Sequence, residues 1–248
     1  MKTGSIEPAH NVTDRMRPEP GQKFYICLSD LSEALKPFAT DDAITVLDYG
    51  CGDSPYRPMY PNATYQRADL EDIPDVDFIV RSGKPLEAPD ESVDLIFSSQ
   101  VIEHVYHTSA FFADCYRLLK PGGRLLVTTH GSFIDHSVPY DYQRWTPWGL
   151  RRDLEAAGFQ IDEISRMTTG PRAALQFWEY VMEQAPAPLS SPVGWIIRFL
   201  RGTTRRFRPQ LHRWADAHWN RFRLCQEDEF HHRHSLYVGL LGSAHKPN

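Results

Sequence analysis

The chain has 248 residues, of which 41% are hydrophobic, and its formal net charge is −5. This length and composition predict one large domain, or one domain with an accessory part, around an ordered core. The acidic balance argues against a general nucleic-acid-binding protein. The four cysteines show no paired spacing, which favours a reducing compartment without a disulfide framework. The first residues contain no apolar leader and no long apolar run follows, so we expect a cytoplasmic protein without a membrane span.

The amino-terminal third of the chain leads into a glycine turn. Residues 1–21 are polar and contain proline, which predicts a flexible arm. Apolar residues near helical spacing predict a helix over residues 22–38. A short apolar run, Ile44 to Leu47, then ends in Asp48 and is followed by Gly-Cys-Gly. A strand that stops at such a turn brings bare backbone close to a ligand.

The turn and the strand after it predict a nucleotide-type ligand. Gly50 and Gly52 allow positive φ, and a second β-like run over residues 63–68 ends in Asp69. An acidic residue at this distance reaches ribose hydroxyls in nucleotide-binding α/β folds. No third glycine completes a dehydrogenase pattern, and no Gly-Lys-Ser/Thr marks a phosphate-binding loop. The pattern Asp-x-Gly-Cys-Gly at residues 48–52 resembles the first motif of class I S-adenosylmethionine-dependent methyltransferases of the small-molecule type.

The remaining elements alternate between strands and helices, which is typical of an α/β fold. Helices are predicted over residues 111–119 and 146–157. Further strands are predicted over residues 76–80, 95–97, 124–129, 160–167 and 235–241. The resemblance implies a Rossmann-like, seven-stranded methyltransferase sheet flanked by helices, with the last strand antiparallel between the fifth and the sixth.

A helical insertion interrupts the predicted methyltransferase domain, which comprises residues 22–168 and 235–245. The insertion covers residues 169–234, and its segment from Trp195 to Arg223 has eight arginines and one acid, so its local charge is +7. A basic, tryptophan-rich amphipathic helix can lie in a membrane interface. The same features suit a cap over the acceptor site or a contact in a homodimer, and all three interpretations stay open. Residues 195–223 are thus a candidate for peripheral membrane contact.

The resemblance assigns S-adenosyl-L-methionine as the cofactor and implies a set of binding residues. Asp48, Gly50, Cys51 and Gly52 would line the methionine end of the cofactor. Asp69 would hold the ribose, with Leu70 beside it. The remaining assignments are Ser82 near the adenine, and Ser99 and Gln100 below the sulfonium.

The acceptor side offers histidines as general bases for a hydroxyl substrate. His136 is the first choice, followed by His130 and His104. Some relatives hold a metal ion with Glu-x-x-Glu-His after the fourth strand. Here Gln100 replaces the first carboxylate of this pattern. A hard cation would lack one of its negatively charged ligands, so we expect no metal.

The predicted function is methyl transfer to a small-molecule or lipid-linked hydroxyl acceptor, such as a sugar or a secondary metabolite. The residues after the fourth strand, Ser98 to Val101, match neither the Asn/Asp-Pro-Pro-aromatic pattern of amino methylation nor the Pro-Cys of cytosine methylation. Nucleic acid is therefore disfavoured as the acceptor. The alternative is a non-catalytic module that binds the cofactor and acts through the basic helical insertion.

Overall fold

A computed structural model describes residues 15–229 and 236–248, and these contain one eight-stranded sheet. The strand order is β3-β2-β1-β4-β5-β8-β6-β7. The strands are β1 (Thr45–Tyr49), β2 (Thr64–Asp69), β3 (Phe78–Ile79), β4 (Val93–Ser99), β5 (Leu119–His130), β6 (Gln160–Thr169), β7 (Leu224–Cys225) and β8 (Tyr237–His245).

The pairing confirms the α/β class and the reversed last strand. Strands β1 to β5 are joined by parallel ladders, with Val46 beside Tyr65 on one side and beside Leu95 on the other. β8 lies antiparallel between β5 and β6, as the resemblance implied. The prediction of seven strands was wrong, because the insertion adds β7, which pairs antiparallel with Arg166 and Met167. Two residues without apolar alternation give little strand signal in a sequence.

The helices are α1 (Tyr25–Leu35), α2 (Thr108–Leu118), α3 (Pro147–Ala156), α4 (Gly170–Gln184) and α5 (Pro192–His218). Helices α2 and α3 bury Phe112, Leu118 and Leu150 on one face of the sheet, while α1 buries Leu31 and Leu35 on the other. The sheet is therefore covered on both faces, as a largely parallel sheet requires. In these described ranges, no helix is both long and apolar enough to cross a membrane.

Two segments differ from their predicted form. The helix predicted over residues 111–119 ends at Leu118, because β5 already begins at Leu119, and the β4–β5 register shifts between Leu119 and Arg124. Lys120 binds Asp94 at 2.8 Å, which ties this irregular stretch to the start of β4. The first 14 residues of the predicted arm lie outside the described residues. Further along the arm, the Met16 carbonyl accepts a hydrogen bond from Ser32 and the Gly21 amide donates one to His212.

A buried ion network attaches the insertion to the sheet domain. Arg172 at the start of α4 is fully buried and donates two hydrogen bonds to Asp30 on α1, at 2.9 and 2.6 Å. Arg223 donates to the same carboxylate at 2.7 Å, and both arginines also bind Asp216 on α5. The Thr168 hydroxyl also donates a hydrogen bond to the Asp30 carboxylate, at 2.9 Å. Because each charge has several partners, the network satisfies groups that would be costly to bury alone.

Replacement of Arg172 by methionine tests how firmly this network holds the insertion. The variant Arg172→Met leaves Asp30 buried with one arginine fewer, and we expect the free energy of unfolding to fall by about 3 kcal/mol. Urea denaturation measures the loss. The control Arg152→Met breaks an exposed pair with Asp153 and should cost less than about 0.5 kcal/mol. Equal losses in the two variants would show that the network does not hold the insertion.

Candidate active site

The turn after β1 is held against β2 by backbone hydrogen bonds. The amides of Gly50 and Cys51 both donate to the Ala68 carbonyl, at 2.8 and 3.2 Å. Gly50 and Gly52 have φ values of 79° and 49°, in the left-handed region where glycine is free of strain. The predicted use of both glycines is thus explained by the conformation that the turn adopts.

Asp69 at the end of β2 reaches back to this turn. Its carboxylate accepts hydrogen bonds from the amides of Gly52 and Leu70, each at 2.7 Å. Arg67 fixes the other side of the turn, because it donates to the Gly52 carbonyl at 2.6 Å and to Ser54 at 2.9 Å. The acceptor oxygens of Asp69 are therefore preorganised beside the glycine turn, where a ribose would be recognised.

A cavity of about 130 Å³ opens at this turn. Six of the predicted cofactor residues line it: Asp48, Gly50, Cys51, Gly52, Ser99 and Gln100. Asp69 lies behind Gly52, while Leu70 and Ser82 are exposed and do not line the cavity. Their assignment to the cofactor stays a prediction. The cavity walls also contain residues that sequence reasoning missed: Arg15, Asp53, Pro55, Tyr56 and Phe97.

The chemistry of the cavity walls fits a polar cofactor. Tyr56 is 2% exposed, and its hydroxyl interacts with Ser99 and Arg15, two other polar residues of the cavity wall. Asp48 is also buried, and burial raises the pKa of its carboxyl to about 6 although Tyr65 donates to it at 2.7 Å. A Cβ added to Gly52 would meet no atom within 4 Å, so the space beside its backbone is free.

The carboxyl ends of β4 and β5 are linked by hydroxyl contacts. Ser99 and Thr128 share a hydrogen bond of 2.9 Å, and the Gln100 amide donates to the same threonine at 3.2 Å. The next residue of β5, Thr129, donates to Glu103 at 2.8 Å. Two consecutive threonines therefore join the cofactor cavity to a second group of polar residues.

That second group, the histidine cluster, consists of Glu103, His104, His130 and His136. His130 Nε2 lies 3.3 Å from Glu103 Oε1, and Glu103 is fully buried. The ring centroid of His136 lies 5.0 Å from that of His130 and 4.6 Å from that of His104. All three predicted bases thus meet in one place, although His104 follows β4, His130 ends β5 and His136 lies in the loop after β5. Glu103 is the second carboxylate of the Glu-x-x-Glu-His pattern, and in the structure it is the buried partner of His130.

The pKa values of two histidines of the cluster, His130 and His136, are lowered by their surroundings. Burial lowers the pKa of His130 well below its ordinary value, and the nearby His136 lowers it further. Burial and His104 also lower the pKa of His136, against the opposing carboxylate of Asp141, which lies 3.4 Å from its Nδ1. Arg144 binds Asp141 through two hydrogen bonds and keeps the pKa of that carboxyl below its usual range. Neutral imidazoles at pH 7 can accept a proton.

The cluster also has the donor set of a divalent metal site. Glu103, His130 and His136 each offer a ligand atom, and these atoms lie within 4.8 Å of one another. Two imidazoles and one carboxylate suit zinc, whereas magnesium prefers an all-oxygen set. This donor set is not the Glu-x-x-Glu-His pattern considered from the sequence. The histidine of that pattern, His104, contacts the Tyr140 carbonyl at 2.9 Å instead. The expectation of no metal stays a prediction.

Comparison with known families agrees with this geometry. Residues 47–127 match a family model described as "Methyltransferase domain", and this stretch runs from β1 into β5. It contains the glycine turn, Asp69 and Ser99. This part of the chain is a class I methyltransferase domain. The resemblance seen in the sequence is confirmed, and S-adenosyl-L-methionine is the cofactor of this class.

Curated relatives match the methyltransferase domain but differ in length. A probable S-adenosylmethionine-dependent methyltransferase of Mycolicibacterium smegmatis is 29% identical over 43% of this chain and 39% of its own length. The mitochondrial ubiquinone biosynthesis O-methyltransferase of Mus musculus is 30% identical over 37% of this chain and 30% of its own length. The chain thus spans well under half of these two relatives.

A solved structure shares the fold over nearly the whole chain. Phosphoethanolamine N-methyltransferase 2 of Haemonchus contortus, solved with S-adenosylhomocysteine, aligns with a TM-score of 0.53 over 96% of this chain and 56% of its own. The sequence identity is 17%, so the likeness shows the fold alone.

The two glycines of the turn allow a paired test of the cofactor site. A Cβ at residue 50 would lie 2.5 Å from both γ-methyls of Val101, so Gly50→Ala should lower the free energy of unfolding by about 2 kcal/mol or more. Gly52→Ala meets no protein atom and should cost only about 1 kcal/mol, for its left-handed backbone. Its methyl group would enter the cavity, and we expect at least about tenfold weaker binding of S-adenosylmethionine by calorimetry. Unchanged affinity in Gly52→Ala would mean that the cofactor does not use this cavity.

Proposed function

We propose that the chain catalyses methyl transfer from S-adenosylmethionine to a hydroxyl group of a small-molecule or lipid-linked acceptor, such as a sugar or a secondary metabolite. The observation that carries this proposal is the position of the histidine cluster. It lies beside the cofactor cavity at the carboxyl ends of β4 and β5, joined to the cavity by Thr128 and Thr129. Ligands in open α/β sheets bind at that edge.

The chemistry divides between the cofactor and the protein. The bound cofactor supplies a methyl group on a sulfonium, which is reactive without further activation. The protein positions the acceptor hydroxyl in line with that methyl and removes the hydroxyl proton as the new O–C bond forms. His136 is the candidate acceptor for the proton, because its side chain is 28% exposed and an acceptor molecule can reach it.

His130 is the second candidate base and is better suited to positioning. Its ring stacks on Phe133 with a centroid distance of 3.9 Å, and Glu103 lies at its Nε2. With a side chain 12% exposed, it is less accessible than His136. We expect it to orient the cluster and to stabilise the proton on its neighbour.

The rim of the histidine cluster supports a ring-shaped acceptor. Tyr106, Tyr140 and Tyr142 are exposed there, and the rings of Tyr106 and Tyr142 meet edge to face with centroids 5.2 Å apart. Exposed aromatic faces of this kind bind the apolar faces of sugars and planar rings. The similarity to a relative named as an O-methyltransferase is in keeping with an oxygen acceptor.

The insertion contributes to the acceptor side through α4. Tyr180 on α4 contacts Phe133 edge to face at 5.4 Å, and Phe133 in turn stacks on His130. This contact supports a cap role for the α4 half of the insertion. The alternative function, a non-catalytic module that works through the basic half, predicts cofactor binding without turnover of any acceptor.

Substitution of His136 tests the proposed base. With a panel of hydroxylated acceptors and release of S-adenosylhomocysteine as the readout, His136→Asn should lower kcat about 100-fold or more while cofactor affinity stays within about twofold. The matched control is His245→Asn, which also removes a histidine paired with an aspartate but lies where β8 meets the start of β6. Full activity of His136→Asn would exclude this base. Cofactor binding by the wild type without turnover would favour the non-catalytic alternative.

The pH dependence of the rate gives an independent test. The pKa of His136 lies below its ordinary value of 6.5, so the base becomes active as pH rises through a point below 6.5. We expect kcat/KM to increase with pH in the acidic range and to be level between about pH 7 and 8. A rate that keeps rising above pH 7 would identify a base with a higher pKa. Assays with added zinc and with a chelator separate a free imidazole base from a metal-bound cluster.

A further inference from the structure

The outer face of α5 exposes an unusual number of large apolar side chains. Of the sixteen that are exposed in the described part of the chain, six lie on this one helix: Val193, Trp195, Ile196, Phe199, Phe207 and Trp214. Trp195 and Phe199 are 62% and 72% exposed. A cluster of this kind on one element marks an interaction surface, whereas single exposed apolar residues do not.

The opposite face of α5 is already occupied. His212 binds Glu179 on α4 at 2.9 Å, Arg208 binds Glu183 at 2.5 Å, and Trp178 donates to Thr204 at 3.2 Å. These contacts fix which side of the helix faces the protein. At 100° per residue, Trp195 and Phe199 lie nearly opposite the side that packs against α4. Ile196 and Trp214 lie along the edge of the exposed face. The apolar side chains are therefore held outward by the packing of α4 against α5.

The same outer face is strongly basic. Arg198, Arg205, Arg206 and Arg213 are exposed, and no ion pair or hydrogen bond engages them within the described residues. The only acid in α5, Asp216, is taken up by the network with Arg172 and Arg223. By helical position, Arg206 lies between Trp195 and Phe199 and Arg213 lies in line with Trp195, so cationic and aromatic groups share one surface. The chain as a whole carries a net charge of −5, so this surface is a local exception.

We propose that the outer face of α5 binds the surface of membranes that contain anionic lipids. Arginines that keep their charged ends at the headgroups, with tryptophan and aliphatic side chains in the acyl boundary, are the features of an interfacial helix. The 27 residues of α5 give a rod of about 40 Å that lies in the membrane plane.

Two other occupants fit the surface less well. A second copy docking through the same face would bring four unpaired arginines against four others, without an acid from α5 to offset them. A nucleic acid would pair with the arginines but would leave Val193 and Ile196 exposed to water. Of these three occupants, a lipid surface is the one that satisfies both the charge and the apolar side chains.

Vesicle sedimentation with the full chain tests the proposal. The probes are vesicles of phosphatidylcholine alone and vesicles with about 30% phosphatidylglycerol. We expect binding to the anionic vesicles that is at least about tenfold tighter than to the neutral ones and that weakens with salt, together with a blue shift of tryptophan fluorescence.

Two sets of variants separate the apolar from the basic contribution. Trp195→Ser with Phe199→Ser should weaken binding to anionic vesicles at least about tenfold. The triple variant Arg198→Gln, Arg205→Gln and Arg206→Gln should weaken it about 100-fold, to the level of neutral vesicles. The matched controls Trp148→Ser and Arg152→Gln alter an exposed tryptophan and an exposed arginine on α3, and should bind as the wild type does.

The outcomes are distinguishable from those of the methyltransferase proposal. Circular dichroism and cofactor titration should be unchanged in every α5 variant, since none of these residues lines the cavity. The proposal fails if the wild type sediments with neither vesicle, or if the controls lose binding as the α5 variants do. It also fails if the α5 variants abolish a dimer seen by analytical ultracentrifugation, or binding to nucleic acid, while leaving vesicle binding intact.

Discussion

The buried salt bridge between Arg172 and Asp30 determines where the insertion can lie. Two hydrogen bonds from a fully buried guanidinium to a buried carboxylate leave little freedom between α1 and the start of α4. Arg223 and Asp216 extend the same network to the end of α5. The start of α4 and the end of α5 are therefore fixed at one point of the sheet domain. Because of this, α4 of the insertion contacts Phe133 beside the histidine cluster through Tyr180, while α5 directs its arginines and aromatic residues outward.

The second constraint is the common edge of the parallel strands. Parallel ladders from β1 to β5 bring the glycine turn, Asp69, Ser99 and the end of β5 to the same side. The sheet itself therefore places the cavity at the glycine turn next to the histidine cluster. Consecutive residues of an extended strand point to opposite faces, so Thr128 and Thr129 can serve the cavity and the cluster separately. This division explains how a short segment of β5 can connect two chemically different sites.

Much of this arrangement could be predicted from local patterns. The glycine turn and the buried strands have signals within a few residues of one another, whereas the order of the strands and the antiparallel direction of the last one were implied by the resemblance. The assembly of His130 with Glu103 could not be predicted in this way, because it depends on the register between β4 and β5. Arg15 was missed because its segment is polar and looks like a free arm, whereas in the structure it lines the cavity. The seventh strand in chain order, β7, is too short to show any period.

Strand β7 has a consequence for attempts to engineer this fold. It covers the outer edge of β6 beside Arg166 and Met167, so the insertion supplies part of the sheet as well as its own helices. Cutting out residues 169–234 would leave the backbone of β6 with unpaired donors and acceptors, and such an edge recruits strands from other molecules. A trimmed protein would therefore be prone to aggregate even if its nucleotide fold survived. Transplanting the insertion onto another scaffold would likewise require a recipient with an open edge strand at the matching position.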